Sequence, residues 1–309
     1  MTIRRILAHN KVYIALSHTY YRCLTRISPT WNSKRRWKKI FGFPLRLDAP
    51  IWWSEKLMWL KLNCYQNNAL VRTCANKYRV RAYVEQCGCG ELLIDCIGLW
   101  ERAQDIPWDE LPKKFVLKST MGCGNHVFCS DRAELDRHTA METLNAVLQD
   151  RYYLDYAELQ YAPGKDMHPQ IIGERMIEME NGRMLSDYKL FCFHGEPKFI
   201  LYCYDRSDAG HANYMFYDED WSLHPEYHPC DAMDHPPEKP DCIEKMIAYA
   251  RRLSAPFPFV RVDFYEERGQ VRFGELTFTP SACLDVEMTE LGQITLGKLL
   301  DLNGIDIIR

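Results

Sequence analysis

The chain has 309 residues, of which 47% are hydrophobic and 26% are charged, an ordinary globular composition for one large domain or a few small ones. No apolar run approaches the roughly 20 residues that span a bilayer, so we expect no transmembrane helix. Thirteen cysteines lie largely in apolar runs such as residues 190–193, and the N-terminus lacks a secretory pattern. We therefore expect reduced thiols in a cytosolic protein rather than disulfides.

The formal net charge of −3 conceals an uneven distribution. Residues 1–47 carry 11 cationic and no acidic side chains, which leaves −14 on the rest of the chain. Isoleucine, leucine and tyrosine are interspersed among these cations, a pattern that suits an anionic membrane surface or a polyanionic partner. A solvated helix face packed on the body explains the pattern equally well. We expect no nucleic-acid partner.

The first half of the chain reads as mainly helical. Apolar residues recur at helical spacing over 3–27 and 52–86, and Gly88 and Gly90 end this region. Residues 105–112 form a turn-rich linker with two prolines, and we place a domain boundary there. The predicted division is a basic segment over 1–47, a mainly helical domain over 48–112, and two subdomains over 113–180 and 181–309.

Strands and helices are mixed after the linker. We predict strands near 115–118, 171–178, 187–193 and 197–204. We predict helices over 131–149, 241–254 and 292–302, and a loop-rich stretch over 205–240. Because the two element types do not alternate strictly, the pattern favours an α+β fold over a doubly wound parallel sheet.

The first predicted strand ends at Lys118 and enters a small-residue loop with Gly122 and Gly124. Glycines let backbone N–H groups approach phosphates closely, and a lysine at the strand end adds a point charge. The loop is not a Walker A motif, because no Gly-Lys-Ser/Thr ends it. Taken alone, a Gly-x-Gly segment is more often a simple turn than a phosphate site.

Two later strands carry charged residues. Glu174 lies on a strand whose exposed edge could pair with an adenine ring, although a core strand with surface glutamates is the commoner case. Lys189 lies on the opposite face of its strand from Tyr188. A lone strand lysine is usually solvated, but a lysine beside Asp263 and Glu275 would neutralise a phosphate.

Residues 261–280 contain the most informative pattern in the chain. Two runs of β-branched and aromatic residues flank a short polar turn, which predicts a β-hairpin. Side-chain alternation puts Asp263 on the same face as Arg261, and Glu275 on the same face as Thr277. The hairpin would bring the two carboxylates together. Such a hard-oxygen site suits Mg²⁺, which completes its shell with waters and phosphates, and therefore indicates nucleotide chemistry.

Other chemistries lack support. The histidines and Cys230 over residues 224–235 match no ordinary zinc spacing, and no Cys-x-x-Cys occurs. The Cys-Gly-Cys at 87–89 reads as a turn rather than a redox pair. No Gly-x-Ser-x-Gly elbow supports a serine hydrolase.

Taken in order, these segments resemble the ATP-grasp superfamily, and specifically the TupA-like ATP-grasp family, over roughly residues 45–300. The resemblance rests on residues 76–84, 118–124, 173–174, 187–189, 217–221 and 261–280. It implies an ATP-grasp fold of the α+β class with a helical N-terminal region. It also implies a ligase that uses ATP and Mg²⁺ to form carbon–nitrogen bonds.

The resemblance assigns residues to the nucleotide, namely Lys118, Gly122, Gly124, Glu174, Lys189 and either Glu178 or Glu180. The lysines hold phosphates beneath the mobile glycine loop. Glu174 meets the adenine, and Glu178 or Glu180 reaches the ribose.

The resemblance also assigns residues to the metal and to catalysis. Asp263 and Glu275 are the magnesium carboxylates. Thr277 stands where many ATP-grasp enzymes have asparagine, and its hydroxyl still ligates the ion or holds a water. Arg261 steadies the acyl phosphate and the tetrahedral intermediate, with Lys189 acting on the phosphates. The resemblance places Lys77 and Arg81 at the substrate.

The implied reaction joins a carboxylate to an amine. The carboxylate attacks the γ-phosphate of ATP, and the amine then displaces phosphate from the acyl phosphate. The family's link to bacterial cell-surface polymers implies a uronic acid of a capsular polysaccharide, or an acidic peptide, as the acceptor. It also implies a cytoplasmic protein at the inner membrane face, where residues 1–47 contact lipid or polysaccharide-synthesis proteins. Two alternatives remain open: a non-catalytic module that binds anionic glycans, and a glycosyltransferase-associated protein or phosphotransferase.

Overall fold

The computed structural model describes residues 11–122, 124, 126–177, 186–204, 212–231 and 237–308. Its helices are α1 (Lys11–Ile27), α2 (Pro29–Phe41), α3 (Trp53–Leu60), α4 (Ala69–Cys74), α5 (Val80–Gln86), α6 (Arg137–Leu148), α7 (Tyr152–Asp155), α8 (Ile243–Ser254) and α9 (Glu290–Leu299). Its strands are β1 (Cys96–Trp100), β2 (Phe115–Ser119), β3 (Val127–Cys129), β4 (Ile171–Arg175), β5 (Asp187–Phe193), β6 (Glu196–Tyr204), β7 (Asn213–Asp218), β8 (Phe259–Glu267) and β9 (Gln270–Thr277). These helices and two antiparallel sheets confirm the predicted α+β class.

The smaller sheet has the strand order β1-β4-β2-β3. In its register Val116 lies opposite Glu174, and Lys118 opposite Ile172. Gly173 of the central strand β4 has no room for a side chain, because a Cβ there would lie 2.8 Å from the Trp100 ring. The alternation of buried and partly exposed residues along β2 leaves Lys118 on the face away from the apolar core around Leu117.

The larger sheet has the strand order β7-β6-β5-β8-β9. Its apolar face shares one core with the helices α3 to α5 and α8. Trp53 of α3, for example, is fully buried, with its ring centroid 5.5 Å from those of Phe191 and Phe259. On α8, Met246 and Leu253 are buried as well. Burial of this face leaves the charged residues of β5, β8 and β9 on the other side of the sheet.

The predicted hairpin of β8 and β9 is confirmed. Asp263 lies opposite Glu275, and Lys189 of β5 lies opposite Asp263 on its other side. The register then slips by one residue at Gly274, a β-bulge. A Cβ at Gly274 would lie 2.9 Å from the carbonyl oxygen of Asp263, so glycine is needed for the strands to approach each other.

Several predicted elements differ from those observed. The predicted helical region over 52–86 is broken into α3, a π-helical turn (Lys61–Tyr65), α4 and α5. The helix α2 and the strands β1 and β7 were not predicted, and β7 lies inside the predicted loop-rich stretch. Strand β1 precedes the predicted domain boundary at residues 105–112, but it pairs with β4, which follows that boundary. The domain limits themselves stay predictions. The predicted strand over 171–178 ends at Arg175.

The helix α2 carried local signals that sequence reasoning missed. The Ser28 hydroxyl caps it by accepting from the backbone N–H of Trp31, and Pro29 occupies the first turn. Gly42, with φ of +84°, ends the helix in a left-handed cap. Its buried apolar residue, Trp37, was not recognised in the sequence because cations surround it, and its side chain is fully buried.

Among the described residues, no helix combines the length and apolarity needed to cross a bilayer. The cysteines placed within these ranges are free.

Candidate active site

A cleft of about 290 Å³ is lined by charged residues of both sheets. The smaller sheet supplies Lys118 and Glu174, and the larger sheet supplies Lys189, Asp263 and Glu275. These five residues were predicted from four separate segments of the sequence. The fold therefore gathers most of the predicted nucleotide and metal residues around one cavity.

Glu174 binds two cations instead of pointing freely into the cleft. Its Oε2 lies 2.5 Å from Lys118 Nζ, and its Oε1 lies 3.6 Å from Arg81 Nη1. Arg81 also donates to the carbonyl of Ile94 at 2.8 Å. The residue predicted to meet adenine is thus paired with the residue predicted to hold phosphate. A phosphate that reaches Lys118 would replace this carboxylate.

Asp263 lies at the centre of a chain of alternating charges. Arg261 donates to both of its carboxylate oxygens at 2.7 Å, and Lys189 Nζ donates to its Oδ2 at 3.1 Å. Lys189 also lies 3.3 Å from Asp187 Oδ2. Burial disfavours both cations, but the Asp263 carboxylate outweighs that effect and raises the pKa of Lys189 and of Arg261. Both side chains therefore stay cationic at neutral pH.

Glu275 is the more accessible carboxylate, with 42% of its side-chain surface exposed. Its Oε1 accepts from the Thr277 hydroxyl at 3.0 Å, and its Oε2 lies 4.0 Å from Lys77 Nζ. Desolvation alone would raise the pKa of Glu275, but Lys77, Arg261 and Lys189 lower it to about 2. The carboxylate is ionised at neutral pH.

The donor set fits a magnesium ion that also binds phosphates. Mg²⁺ in nucleotide sites takes one or two protein carboxylates and completes its shell with phosphates and waters. Glu275 offers an accessible oxygen, whereas Asp263 has both oxygens engaged by Arg261 and has capacity left mainly at Oδ1. Thr277 donates to Glu275 and accepts from Arg261, which leaves its oxygen one lone pair. Nowhere in the described ranges do three or more His, Cys, Asp or Glu residues form a metal cluster.

Lys77 joins the glycine loop to the hairpin. Its Nζ donates to the carbonyl of Gly122 at 2.6 Å and lies within reach of Glu275. Gly122 and Gly124 have φ of +79° and +82°, a left-handed backbone conformation that residues other than glycine rarely adopt. Gly122 borders a cavity, whereas Gly124 is exposed. The resemblance placed Lys77 at the substrate, and the geometry adds a contact to the loop.

His126 also lines the cleft, and sequence reasoning missed it. Burial lowers its pKa, the cations of Lys77 and Lys118 lower it further, and the result is about 4. Its Nδ1 is buried without a hydrogen-bond partner in the described structure. The imidazole is neutral at pH 7 and offers a polar atom to a ligand. Its position just after the glycine loop was the available sequence signal.

A second cavity of about 260 Å³ adjoins the first. The two cavities share Lys77 and Glu275 as lining residues, and Arg261 and Thr277 line the second. Its wall also includes Tyr152, Glu158, Tyr161, Ser281 and Ala282. Three consecutive non-glycine residues, 281–283, have positive φ, and such strained backbone clusters at functional sites.

Some predicted residues fall elsewhere. Glu178 and Glu180 lie outside the described residues. In the rejected zinc cluster, His224 is bound by Asp218 at 3.0 Å and Glu226 at 2.8 Å, an arrangement that explains it without a metal. Residues 232–236, which include the last histidine of that cluster, also lie outside the described ranges.

Comparisons with solved structures return ligases and a synthetase of low sequence identity. An L-amino acid ligase from Bacillus licheniformis is 13% identical with a TM-score of 0.47, covering 86% of this chain and 60% of its own. D-cycloserine synthetase DcsG is 14% identical with a TM-score of 0.45, covering 80% and 77%. The ATP-grasp ligase PsnB, solved with a minimal precursor, is 10% identical with a TM-score of 0.38, covering 76% and 62%. The chain thus spans about three fifths of the first ligase's length.

A comparison with curated protein sequences finds no significant match. The family model described as TupA-like ATPgrasp matches residues 55–300, which is most of the chain. This match confirms the predicted family and, together with the two antiparallel sheets, the predicted ATP-grasp fold. The chain belongs to the TupA-like ATP-grasp family.

Proposed function

We propose that this protein is an ATP-dependent carboxylate–amine ligase that forms an amide or peptide bond through an acyl phosphate. The observation that carries the proposal is the junction of the two cavities, where Lys77 and Glu275 line both and Arg261 lies alongside. A triphosphate in the first cavity would end at this junction. A carboxylate in the second cavity would meet it there.

Positioned cations are the main means by which proteins accelerate phosphoryl transfer. Lys118 and Lys189 would neutralise the phosphates, and Arg261 would face the charge that develops on the transferred group. A carboxylate oxygen attacks the γ-phosphorus while the bond to ADP breaks. The amine nitrogen then attacks the acyl carbon, phosphate leaves with the C–O electron pair, and the amine releases a proton.

Glu275, with Asp263 as the second carboxylate, would hold the magnesium ion. That ion, when bound, supplies positive charge shared between neighbouring phosphates. The contact between Lys77 and the Gly122 carbonyl would draw the glycine loop over the junction. A closed loop excludes water, which would otherwise hydrolyse the acyl phosphate.

The substrate assignment is supported by family membership and by the cations Lys77 and Arg261 in the lining of the second cavity, which suit a carboxylate. We propose a uronic acid of a capsular or other bacterial cell-surface polymer, or an acidic peptide, as the carboxylate. An amino acid or another amine is the nucleophile. The setting is the cytoplasm, at the inner face of the membrane, where polysaccharide-synthesis proteins assemble the polymer.

The decisive experiment traps the acyl phosphate. Purified protein is incubated with ATP, Mg²⁺ and a panel of uronic acids, with hydroxylamine in place of the amine. We expect hydroxamate and ADP in equal amounts, both lost in Lys118→Ala and both retained in the matched surface variant Lys114→Ala. Lys114 is exposed and four residues away.

The same assay distinguishes the alternatives. ADP release with a phosphorylated sugar and no hydroxamate would identify a phosphotransferase. Polymer binding that is independent of nucleotide, with no ADP, would identify a glycan-binding module. Either result would overturn the ligase assignment.

A further inference from the structure

The helices α1 and α2 form an antiparallel pair that is fixed to the body along one side. Asn32 of α2 donates to the carbonyl of Tyr21 on α1 at 3.1 Å, and to that of Asp155 at 3.1 Å. Arg22 pairs with the buried Asp155 carboxylate at 2.9 Å, and Trp37 is fully buried. These contacts determine which side of the pair faces outward.

The outward side of α1 is apolar. Leu16, Tyr20, Leu24 and Ile27 follow one another at spacings of four, four and three residues, and so share one helix face. Leu16 is 64% exposed, Tyr20 45% and Ile27 72%. Trp31, at the start of α2, is 61% exposed. Large apolar side chains exposed together on one face indicate an interaction surface.

The outward side of α2 is basic. Lys34, Arg35, Lys38 and Lys39 share one helix face with Trp31. Together with Tyr20, Tyr21 and Leu24 they line a groove of about 590 Å³ between the helices, and no acidic residue lines it. Within the described ranges none of these four cations pairs with a carboxylate. The cations and the apolar residues therefore lie on the same side of the pair.

We propose that this basic–apolar face, formed by Leu16, Tyr20, Leu24, Ile27, Trp31, Lys34, Arg35, Lys38 and Lys39, docks the protein on an anionic lipid bilayer. Interfacial helices bury apolar residues at the acyl boundary while lysine and arginine bind anionic headgroups. Tryptophan and tyrosine favour the same interface. An anionic glycan would bind the cations, but it would leave Leu16 and Ile27 in water. The inference stands on α1 and α2 alone and does not depend on the reaction.

The test is vesicle co-sedimentation of the full chain. Vesicles of phosphatidylcholine mixed with phosphatidylglycerol should bind the protein, and vesicles of phosphatidylcholine alone should not. The triple variant Lys34→Gln/Arg35→Gln/Lys38→Gln should weaken binding on the order of 100-fold, since each cation near an anionic surface contributes about fivefold. All three positions are exposed, so the fold should persist.

A matched control removes the same charge elsewhere. Lys114, Lys245 and Lys298 are exposed and lie outside the basic–apolar face, and Lys114→Gln/Lys245→Gln/Lys298→Gln should bind vesicles like the original chain. A second variant, Leu16→Ser/Ile27→Ser, keeps every charge and tests the apolar contribution. It should lose at least tenfold in vesicle binding.

Three results would overturn the proposal. The first is equal binding to neutral and anionic vesicles, and the second is equal weakening by the control triple variant. The third is full binding by Leu16→Ser/Ile27→Ser together with tight binding of soluble polyuronate, which would identify an anionic glycan as the partner. Because no residue of the active site is altered, hydroxamate formation by these variants reports on the ligase assignment separately.

Discussion

Asp263 has two roles that compete for the same atoms. As a magnesium ligand it must offer an oxygen to the ion, yet Arg261 and Lys189 already bind both of its oxygens. Removing one partner of a buried ion pair leaves the other charge uncompensated, at a cost of several kcal/mol. Glu275 also interacts with cations, but 42% of its side-chain surface is exposed, so solvent screens these interactions. The two predicted metal ligands should therefore respond differently to the same substitution.

We expect Asp263→Asn to lower the free energy of unfolding by about 3 kcal/mol and Glu275→Gln to change it by less than about 1 kcal/mol. Both variants should lose ligase activity, because each removes a carboxylate from the proposed metal site. Urea denaturation measures the first quantity and hydroxamate formation the second. A larger loss of stability in Glu275→Gln than in Asp263→Asn would contradict the ion-pair geometry of these two carboxylates.

Lys118→Ala provides a cleaner test of phosphate binding. Loss of one positioned charge of this kind commonly costs on the order of 100-fold or more in rate. After the substitution Glu174 keeps Arg81 as a second cation at 3.6 Å, so the melting temperature should fall less than in Asp263→Asn. Steady-state ADP release is the measurement, with Lys114→Ala as the control. Unchanged turnover would exclude Lys118 from the phosphate site.

His126 predicts a specific pH dependence. Its pKa is about 4 in the folded chain, below the roughly 6.5 of an unfolded histidine, so the unfolded state binds more protons between these values. Its contribution to stability is complete above pH 6.5 and is lost as the pH falls towards 4. We expect His126→Gln to reduce the drop in unfolding free energy between pH 7 and 5 by on the order of 1–2 kcal/mol. Urea denaturation of the original chain and of His126→Gln at pH 7 and pH 5 measures these drops. Equal drops in unfolding free energy for the two proteins would refute the prediction.

At the scale of elements, the β8–β9 hairpin carries the proposed metal ligands, and its bulge at Gly274 sets their geometry. The extra residue comes directly before Glu275 and shifts the register beyond Asp263. Sequence alternation predicted the hairpin and the pairing of the carboxylates, because both follow from the period of two in a strand. It did not predict the bulge, because the constraint on Gly274 comes from the backbone of the partner strand.

We expect Gly274→Ala to destabilise the protein by about 1–3 kcal/mol, since the added methyl group would meet the Asp263 carbonyl. The hairpin must widen to relieve the clash, so activity should fall too. Gly90→Ala is the matched control, because its nearest neighbour would be 3.5 Å away and its φ is not positive. Thermal melting and hydroxamate assays of both variants provide the comparison. Equal stability of the two variants would argue against the bulge geometry.

At the scale of the whole molecule, the candidate active site is a cleft lined by residues of both sheets. The smaller sheet contributes Lys118, Glu174 and Arg175 to the cleft lining, and the larger sheet contributes Lys189, Asp263 and Glu275. A nucleotide that filled the cleft would therefore contact both sheets. A ligand that bridges two parts of a fold stabilises the folded state according to its concentration and affinity.

We expect saturating ATP with Mg²⁺ to raise the melting temperature on the order of 5 °C, and ATP without the metal to raise it less. Glu275→Gln should remove the difference between the two conditions, because the metal would lose its more accessible ligand. A thermal-shift titration with ATP, ATP–Mg²⁺ and Mg²⁺ alone measures these effects. Identical shifts with and without Mg²⁺ in the original chain would refute the metal site.

The sequence by itself determined the family, the α+β class and the hairpin with its paired acids, because each depends on local periodicity or on motifs in a given order. It also contained the helix α2, whose Ser28, Pro29 and Gly42 mark both ends. Only the tertiary structure decided that Glu174 pairs with Lys118, that Arg261 donates hydrogen bonds to Asp263, and that His126 borders the cleft. These contacts join residues from different strands or loops, and their energies depend on burial and distance, which no spacing along the chain encodes.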